Sequence, residues 1–464
     1  MCAWAGDEVP YPGHCPKFLP TISNTWEMPP GSYVSRWVVG VGCDMMAICQ
    51  LVIFWINESA ASRTGVRSRP WLSHKFLLGQ SVLAIFCLSW VGAICDSTVD
   101  TCRGNNSLHT TFAVTFFALY DLYMLTLHIQ NSAGRNHWIR NLCLAATLAS
   151  KLRWIPAVSL AVGDNALAIV EWTDVSIILA WTVHYIIASP LGTVLNYGEA
   201  YITEPPETAN LGVLSSINAR VLTNVTAVIM IGTLVTTLIA GIRNGVVTKE
   251  RVPWISDLWV YPPGNWISRW AVVQGCHAAV WVHVAAWQAG WYNESGFKKY
   301  IGPLFLPLIS IFGLSVVGCV NEDEDHTIHV FAAGTFFVCY DLFMVYVLLA
   351  QIIGPSLPSG FASKLAAATV ALASQLAIFV IFPFLLPEAT QGGIMDNLPQ
   401  ILEWTNAFAI ITFMYKHVYN EEYTQFFWMV VYSKDQSATA TETQQQQARQ
   451  ASIELETKLL TGEV

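Results

Sequence analysis

Eleven runs of roughly 20 predominantly apolar residues divide this sequence, each long enough for a helix to cross about 30 Å of hydrocarbon. They fall at about 35–55, 76–95, 108–129, 141–162, 166–188, 222–242, 267–291, 300–320, 327–350, 364–386 and 399–419. No water satisfies the backbone inside a bilayer, so spans of this kind must be helices. The expected fold is all-α, a polytopic membrane protein of about eleven transmembrane helices. Composition points the same way: 54% of residues are hydrophobic and 12% charged, against about 25% charged in soluble domains. A formal net charge of −9, carried mostly by loops and tail, gives no footing for nucleic acid. Lys151, Arg153, Glu171 and Asp174 interrupt the fourth and fifth spans, which are the weakest of the set.

Loop charge sets the expected orientation. The loop after the first span carries Arg63, Arg67, Arg69 and Lys75 against Glu58, which assigns it to the cytoplasm. Alternation then places Arg135, Arg140, Arg220, Lys298 and Lys299 inside, with the acidic loops at Asp96–Asp100 and Glu322–Asp325 outside. Arg243, Lys249 and Arg251 run against this assignment. Residues 1–34 are expected to be luminal or extracellular; they hold no apolar run, so the first span should act as the targeting signal. From 421 to 464 the chain turns polar, with a Gln run at Gln444–Gln447. It is expected to be a disordered cytoplasmic tail, with trafficking or a cytoplasmic partner as its functional options.

The sequence repeats itself. Residues 20–37 (PTISNTWEMPPGSYVSRW) and 253–270 (PWISDLWVYPPGNWISRW) share ten of 18 positions at an offset of 233, which Gly42-Cys43 and Gly275-Cys276 continue. His109, Phe116-Phe117 and Tyr120-Asp121-Leu122 recur as His329, Phe336-Phe337 and Tyr340-Asp341-Leu342, and Glu171-Trp172-Thr173 recurs as Glu403-Trp404-Thr405. Order preserved over this length indicates duplication. Matching spans lie six apart, so the copies are parallel and any pseudo-twofold axis should follow the membrane normal. The first module (35–200) has five spans and the second (222–420) six; the first lacks the counterpart of 222–242.

Several residues within this frame bear chemistry. The repeated loop combines a fixed Pro-Pro-Gly turn with Trp26, Trp259, Tyr33 and Trp266, suited to the aromatic belt. Arg36 and Arg269, at the span starts, are placed to meet a lipid phosphate, with Trp259 and Trp266 beside them, or simply to snorkel. Asp121, Asp341, Glu171 and Glu403 lie within apolar spans and need a partner or a wet cavity. Lys151 and Arg153 are available in the first half, while Gln375 stands where the second half would have Lys151. His329 follows Glu322-Asp323-Glu324-Asp325, a compact loop suited to general acid/base work or a divalent cation, against the plainer reading of a solvated acidic loop. His329, Glu322 and Asp323 are the candidate catalytic group. Cys95 and Cys102 flank one outer loop and are a candidate disulfide. No Cys/His set has zinc-ligand spacing, and no GxSxG, HExxH or P-loop occurs, so neither metal nor cofactor is expected.

The loop P-x-I-S…Pro-Pro…Arg-Trp, the run Glu322-Asp323…His329…Phe336-Phe337 and the pair Glu403-Trp404 resemble the Frag/DRAM/Sfk membrane-protein family, closest to the GPI-anchor lipid-remodelling factors and the related domain of the cell-wall protein that installs ceramide on GPI anchors. The resemblance covers about 20–200 and 222–420. It implies an integral protein of the Golgi or endoplasmic reticulum, with the lysosome and plasma membrane also used by the family. The implied activity is binding or remodelling of membrane lipid, most readily that of GPI-anchored proteins, without deciding whether the protein is an enzyme. A non-catalytic adaptor, recruiting a lipid kinase or acting in autophagy, is the alternative; a transporter is the third. The second half, with six spans and the acidic run, is the half expected to carry the site.

Overall fold

In the computed structural model the described residues are 22, 26, 29–64, 73–96, 103–130, 137–151, 164–187, 191–199, 212–248, 252–288, 302–354, 357, 360–385, 397–418 and 425–433. Eleven α-helices run through them: α1 (Gly31–Thr64), α2 (His74–Ala93), α3 (Asn106–Gln130), α4 (His137–Ser150), α5 (Asp164–Ile187), α6 (Ala219–Arg243), α7 (Gly264–Gln288), α8 (Gly302–Cys319), α9 (His326–Ile353), α10 (Phe361–Leu376) and α11 (Leu398–Val418). Each overlaps one apolar run. Six are long and apolar enough to cross a membrane by themselves, and Leu304–Cys319 is a shorter apolar helix. The module is thus a polytopic helical membrane protein.

Local chemistry marks the helix starts. Asp325 accepts from the Ile328 amide at 2.9 Å, Asn105 from Leu108 at 3.0 Å and Ser73 from Phe76 at 3.2 Å, each satisfying an amide that the first turn leaves orphaned. Gly360, at φ 78°, sits ahead of α10 in a conformation that glycine adopts at no steric cost. Beyond Leu376 the chain widens into a π-helical stretch, Ala377–Leu385, which contains Pro383, a residue without the amide that a regular ladder needs.

Three strands form one antiparallel sheet in the order β1 (Leu191–Glu199), β3 (Gln425–Ser433), β2 (Gly212–Asn218). Leu191 pairs with Ser433, and Gly212 with Val431. This corrects the expectation of a structureless tail at nine of its residues. The physical reason is local: QFFWMVVYS is aromatic and β-branched, a composition that suits a strand, inside a window whose average is polar. The remainder of the tail lies outside the described residues. The sheet also fixes parity, since β2 and β3 can pair only if an even number of crossings, α6 to α11, separates them.

Each half packs its own core. In half one, Ile53, Leu77, Tyr120, Met124 and Trp181 are fully enclosed; in half two, Cys276, Phe343, Met344, Ala368 and Phe413. Helix α6 packs against both α7 and α11, closing half two as a ring of six, whereas α1 packs against α5 and closes half one as a ring of five.

The halves meet along α1 and α7. A Cβ on Gly40 would come within 2.6 Å of Val273, and Asp44 bonds to His277. Residues 40 and 273, and 44 and 277, are the same positions in the two copies, separated by the repeat offset of 233. Equivalent positions touch each other only on a twofold axis. Arg36 and Arg269, one turn earlier, also converge. The stripe 36, 40, 44 runs along a helix, so the pseudo-twofold axis follows the helices, as a parallel duplication requires.

Candidate functional site

The two guanidiniums meet one carboxylate. Arg36 donates to Glu324 through both terminal nitrogens, at 2.7 and 2.8 Å, and Arg269 donates at 2.7 Å. All three side chains are at most 2% exposed. Burial acts to raise the Glu324 pKa, but attraction from Arg269 and Arg36, with hydrogen bonds from Arg36 and the Asn321 amide, holds it below the ordinary 4.5. Arg36 and Arg269 are therefore not the surface phosphate contacts expected from sequence. They are consumed in docking half one onto the loop between α8 and α9. The reason is geometric: a residue one turn into a span faces headgroups only if its helix has a lipid face there, and here that face meets the other half.

Half one reaches the same loop a second time. Arg103 pairs with Asp323 at 2.9 Å, donates to the Val260 carbonyl at 2.9 Å and lies 4.0 Å over the Tyr261 ring. Trp266 donates back to the Arg103 carbonyl at 3.0 Å. Asp323 and Trp266 are thus engaged between the halves.

Behind that loop half two contains a cavity that encloses about 960 Å³ of empty space, its open mouth included. Met230, Thr233 and Leu234 of α6 form one wall, and Ala279, Ala333, Phe336, Ala407 and Met414 much of the rest. Its polar groups among the described residues are few: Thr233, whose hydroxyl is spent on the Ile229 carbonyl, Ser256, Trp259, His329, Tyr340 and Glu403. His329 Nδ1 lies 2.7 Å from the Val320 carbonyl, so Nδ1 carries the proton and Nε2 is left as an acceptor. Glu403 Oε2 accepts from the Ile255 amide at 2.8 Å, and Trp404 donates to the Pro253 carbonyl at 3.0 Å. This pairing explains why Pro-x-Ile-Ser and Glu-Trp recur together, since the last helix of the module holds the loop. Ser256 donates to Glu322 at 3.2 Å, and His326 lies 3.3 Å from Glu322.

Of the expected catalytic group, His329 lines the cavity, Glu322 reaches it through Ser256, and Asp323 points to Arg103. Among the four expected lipid contacts only Trp259 lines the cavity. Glu403 lines it too, and Asp341 does not, although Asp341 is buried with an oxygen that has no partner among the described residues. Glu403 is stabilised by a backbone amide, not by the cation for which sequence sought an equivalent. In half one Lys151, one of the two available cations, takes Asp121 at 3.2 Å and also pairs with Asp174. Arg153 lies outside the described residues. Gln375 and Asn406 occupy the matching positions in half two, so the ion cluster has no copy there. His109 repeats the His329 bond, 2.6 Å from the Ile94 carbonyl. Among the described residues half one nevertheless has no counterpart of α6, and its residues Met46 and Val175 stand where half two has Ala279 and Ala407. Cys95 is disulfide-bonded; Cys102, its expected partner, lies outside the described residues. Asn57, a sequon asparagine, is buried in α1 and bonded to Tyr185 at 2.8 Å. Among the described residues no group of three or more His, Cys, Asp or Glu could hold a metal ion.

Sequence reasoning missed Glu324 as the docking carboxylate and missed Asp44–His277. The second was signalled by the offset of 233 between an acid and a base at one repeat position. A family model described as Frag1/DRAM/Sfk1/Cwh43P N-terminal domain matches residues 1–187 and again 218–419. Comparison with curated proteins and with solved structures gives no match.

Proposed function

The chain belongs to the Frag1/DRAM/Sfk1/Cwh43P family, as a tandem duplicate, and from that premise we propose that it binds and helps remodel a membrane lipid, that of GPI anchors in the secretory pathway. The observation that carries this reading is the cavity of half two, an apolar chamber among membrane-crossing helices with a small polar end. Such a shape suits an acyl chain, which gains about 25 cal/mol for each Å² it removes from water. At the polar end His329 presents an unprotonated Nε2, able to accept a proton or hydrogen bond from a hydroxyl. Glu403 and Trp259 orient the group beside it. In this reading the Pro-Pro-Gly end of the bundle faces the lumen, and half one serves as the brace that holds the α8–α9 loop over the cavity.

The test places His329→Ala in cells lacking the native protein. Phospholipase sensitivity and lipid composition of surface GPI-anchored proteins should then match those of cells with no protein at all. Anchors restored to normal by the variant would overturn the assignment.

A further inference from the structure

We propose that the half-two cavity selects an uncharged lipid whose head is a hydroxyl or an amide, and excludes both phosphate and ammonium heads. This rests on the lipid-binding reading above and deepens it: the chamber holds a neutral lipid exchanged with the anchor, not the anchor's own phosphodiester-bearing lipid. Three polar groups around the cavity have capacity to spare. The Trp259 indole N–H is buried and has no partner among the described residues. His329 Nε2 is an acceptor because Nδ1 is committed to the Val320 carbonyl. Glu403 uses one oxygen on the Ile255 amide and retains the other. With the Ser256 and Tyr340 hydroxyls engaged on Glu322 and His283 and able only to accept further, the site offers one free donor, Trp259, among several acceptors.

A head that satisfies all three must accept once and donate at least once. A hydroxyl or an amide does both. An ionised phosphate only accepts, so it would leave His329 unsatisfied and set negative charge beside Glu403. An ammonium only donates, so it would leave the Trp259 N–H buried without a partner, which is costly. Among the described residues no Lys or Arg lines the cavity, and Arg36 and Arg269 are both held by Glu324. Nothing there compensates a phosphate.

The experiment is photocrosslinking of the purified full chain in nanodiscs with four diazirine probes of one chain length: a long-chain alcohol, a monoacylglycerol, a lysophosphatidic acid and an alkylamine. Peptide mapping locates the label, and Ala279→Trp, which fills the chamber, serves as the occupancy control. The alcohol and monoacylglycerol should label cavity residues, lose that label in Ala279→Trp, and lose about two- to tenfold of it in Trp259→Phe, the worth of one neutral hydrogen bond. Phosphate or amine probes that label the cavity as strongly would overturn the head assignment and leave lipid binding standing. Unchanged labelling in Trp259→Phe would do the same. Cavity labelling by none of the four probes, or labelling indifferent to Ala279→Trp, would overturn both readings. Thermal unfolding of each variant, matched to the parent, confirms that the chain tested is folded.

Discussion

Replacing Glu324 by Gln should be among the most damaging single changes in this chain. The wild-type cluster contains two guanidiniums and one carboxylate, all at most 2% exposed, and three charge-assisted bonds of 2.7 to 2.8 Å hold it together. Removing the only carboxylate of that cluster leaves two buried positive charges facing each other. Breaking a buried ion pair from one side costs about 3–5 kcal/mol. In a chain of this size that corresponds to a fall in Tm on the order of 5 °C or more, read by thiol-reactive dye unfolding in detergent. Arg36→Met should cost less, because it leaves a neutral Arg269–Glu324 pair. The double variant Arg36→Met/Glu324→Gln should cost less than the sum of the singles, because one of the two stranded charges has gone. The acid limb follows from the same cluster. The Glu324 pKa is lowered from 4.5 on folding, so its contribution is complete above that value and is lost as pH falls through the folded one. Wild type should therefore shed stability below about pH 4.5, and Glu324→Gln should lack that component. A Glu324→Gln protein with unchanged Tm, or an Arg36→Met protein damaged as badly as Glu324→Gln, would refute the argument.

Other substitutions probe the remaining contacts. Lys151→Met should destabilise the protein by about 3–5 kcal/mol, since Asp121 and Asp174 are both buried and share that ammonium; adding Asp174→Asn should recover part of the loss in the same unfolding assay. Gly40→Ala should cost about 1–3 kcal/mol by overpacking, because the new Cβ meets Val273 at 2.6 Å on the axis itself. Gly42→Ala, whose Cβ meets nothing within 4 Å, should be tolerated. Arg103→Ala should barely change Tm, as its pair with Asp323 is largely exposed and worth about 1 kcal/mol or less. It should instead speed hydrogen exchange of residues 258–264, whose loop loses the bond to Val260 and the stack on Tyr261.

How much of this was legible depends on whether a feature is local or arises from docking. The spans were legible because lipid leaves a 20-residue apolar run one option, and the overlap holds even for the short α4. The duplication was legible because the offsets are constant. Within half two, the Ile255–Glu403 contact was implicit in the joint recurrence of their motifs, and His329 was singled out by position. What remained hidden was where the charges go. Arg36 carries the same local sequence as a headgroup-binding arginine, Ser-Arg-Trp at a span start. Only the meeting of the two α1/α7 faces turns it inward. Glu324 was one acid among four, and nothing in the chain order sets it apart from its neighbours Glu322 and Asp323. A carboxylate near a twofold axis can bond both arginines of a symmetric pair at once. The duplicated chain supplies it from one copy: residue 104, which aligns with Glu324, is glycine. That single difference, together with the absence of an α6 counterpart among the described residues, accounts physically for the asymmetry of the halves. Half one, with no described helix in the place of that cavity wall, keeps its arginine and braces the copy that has both the wall and the acid.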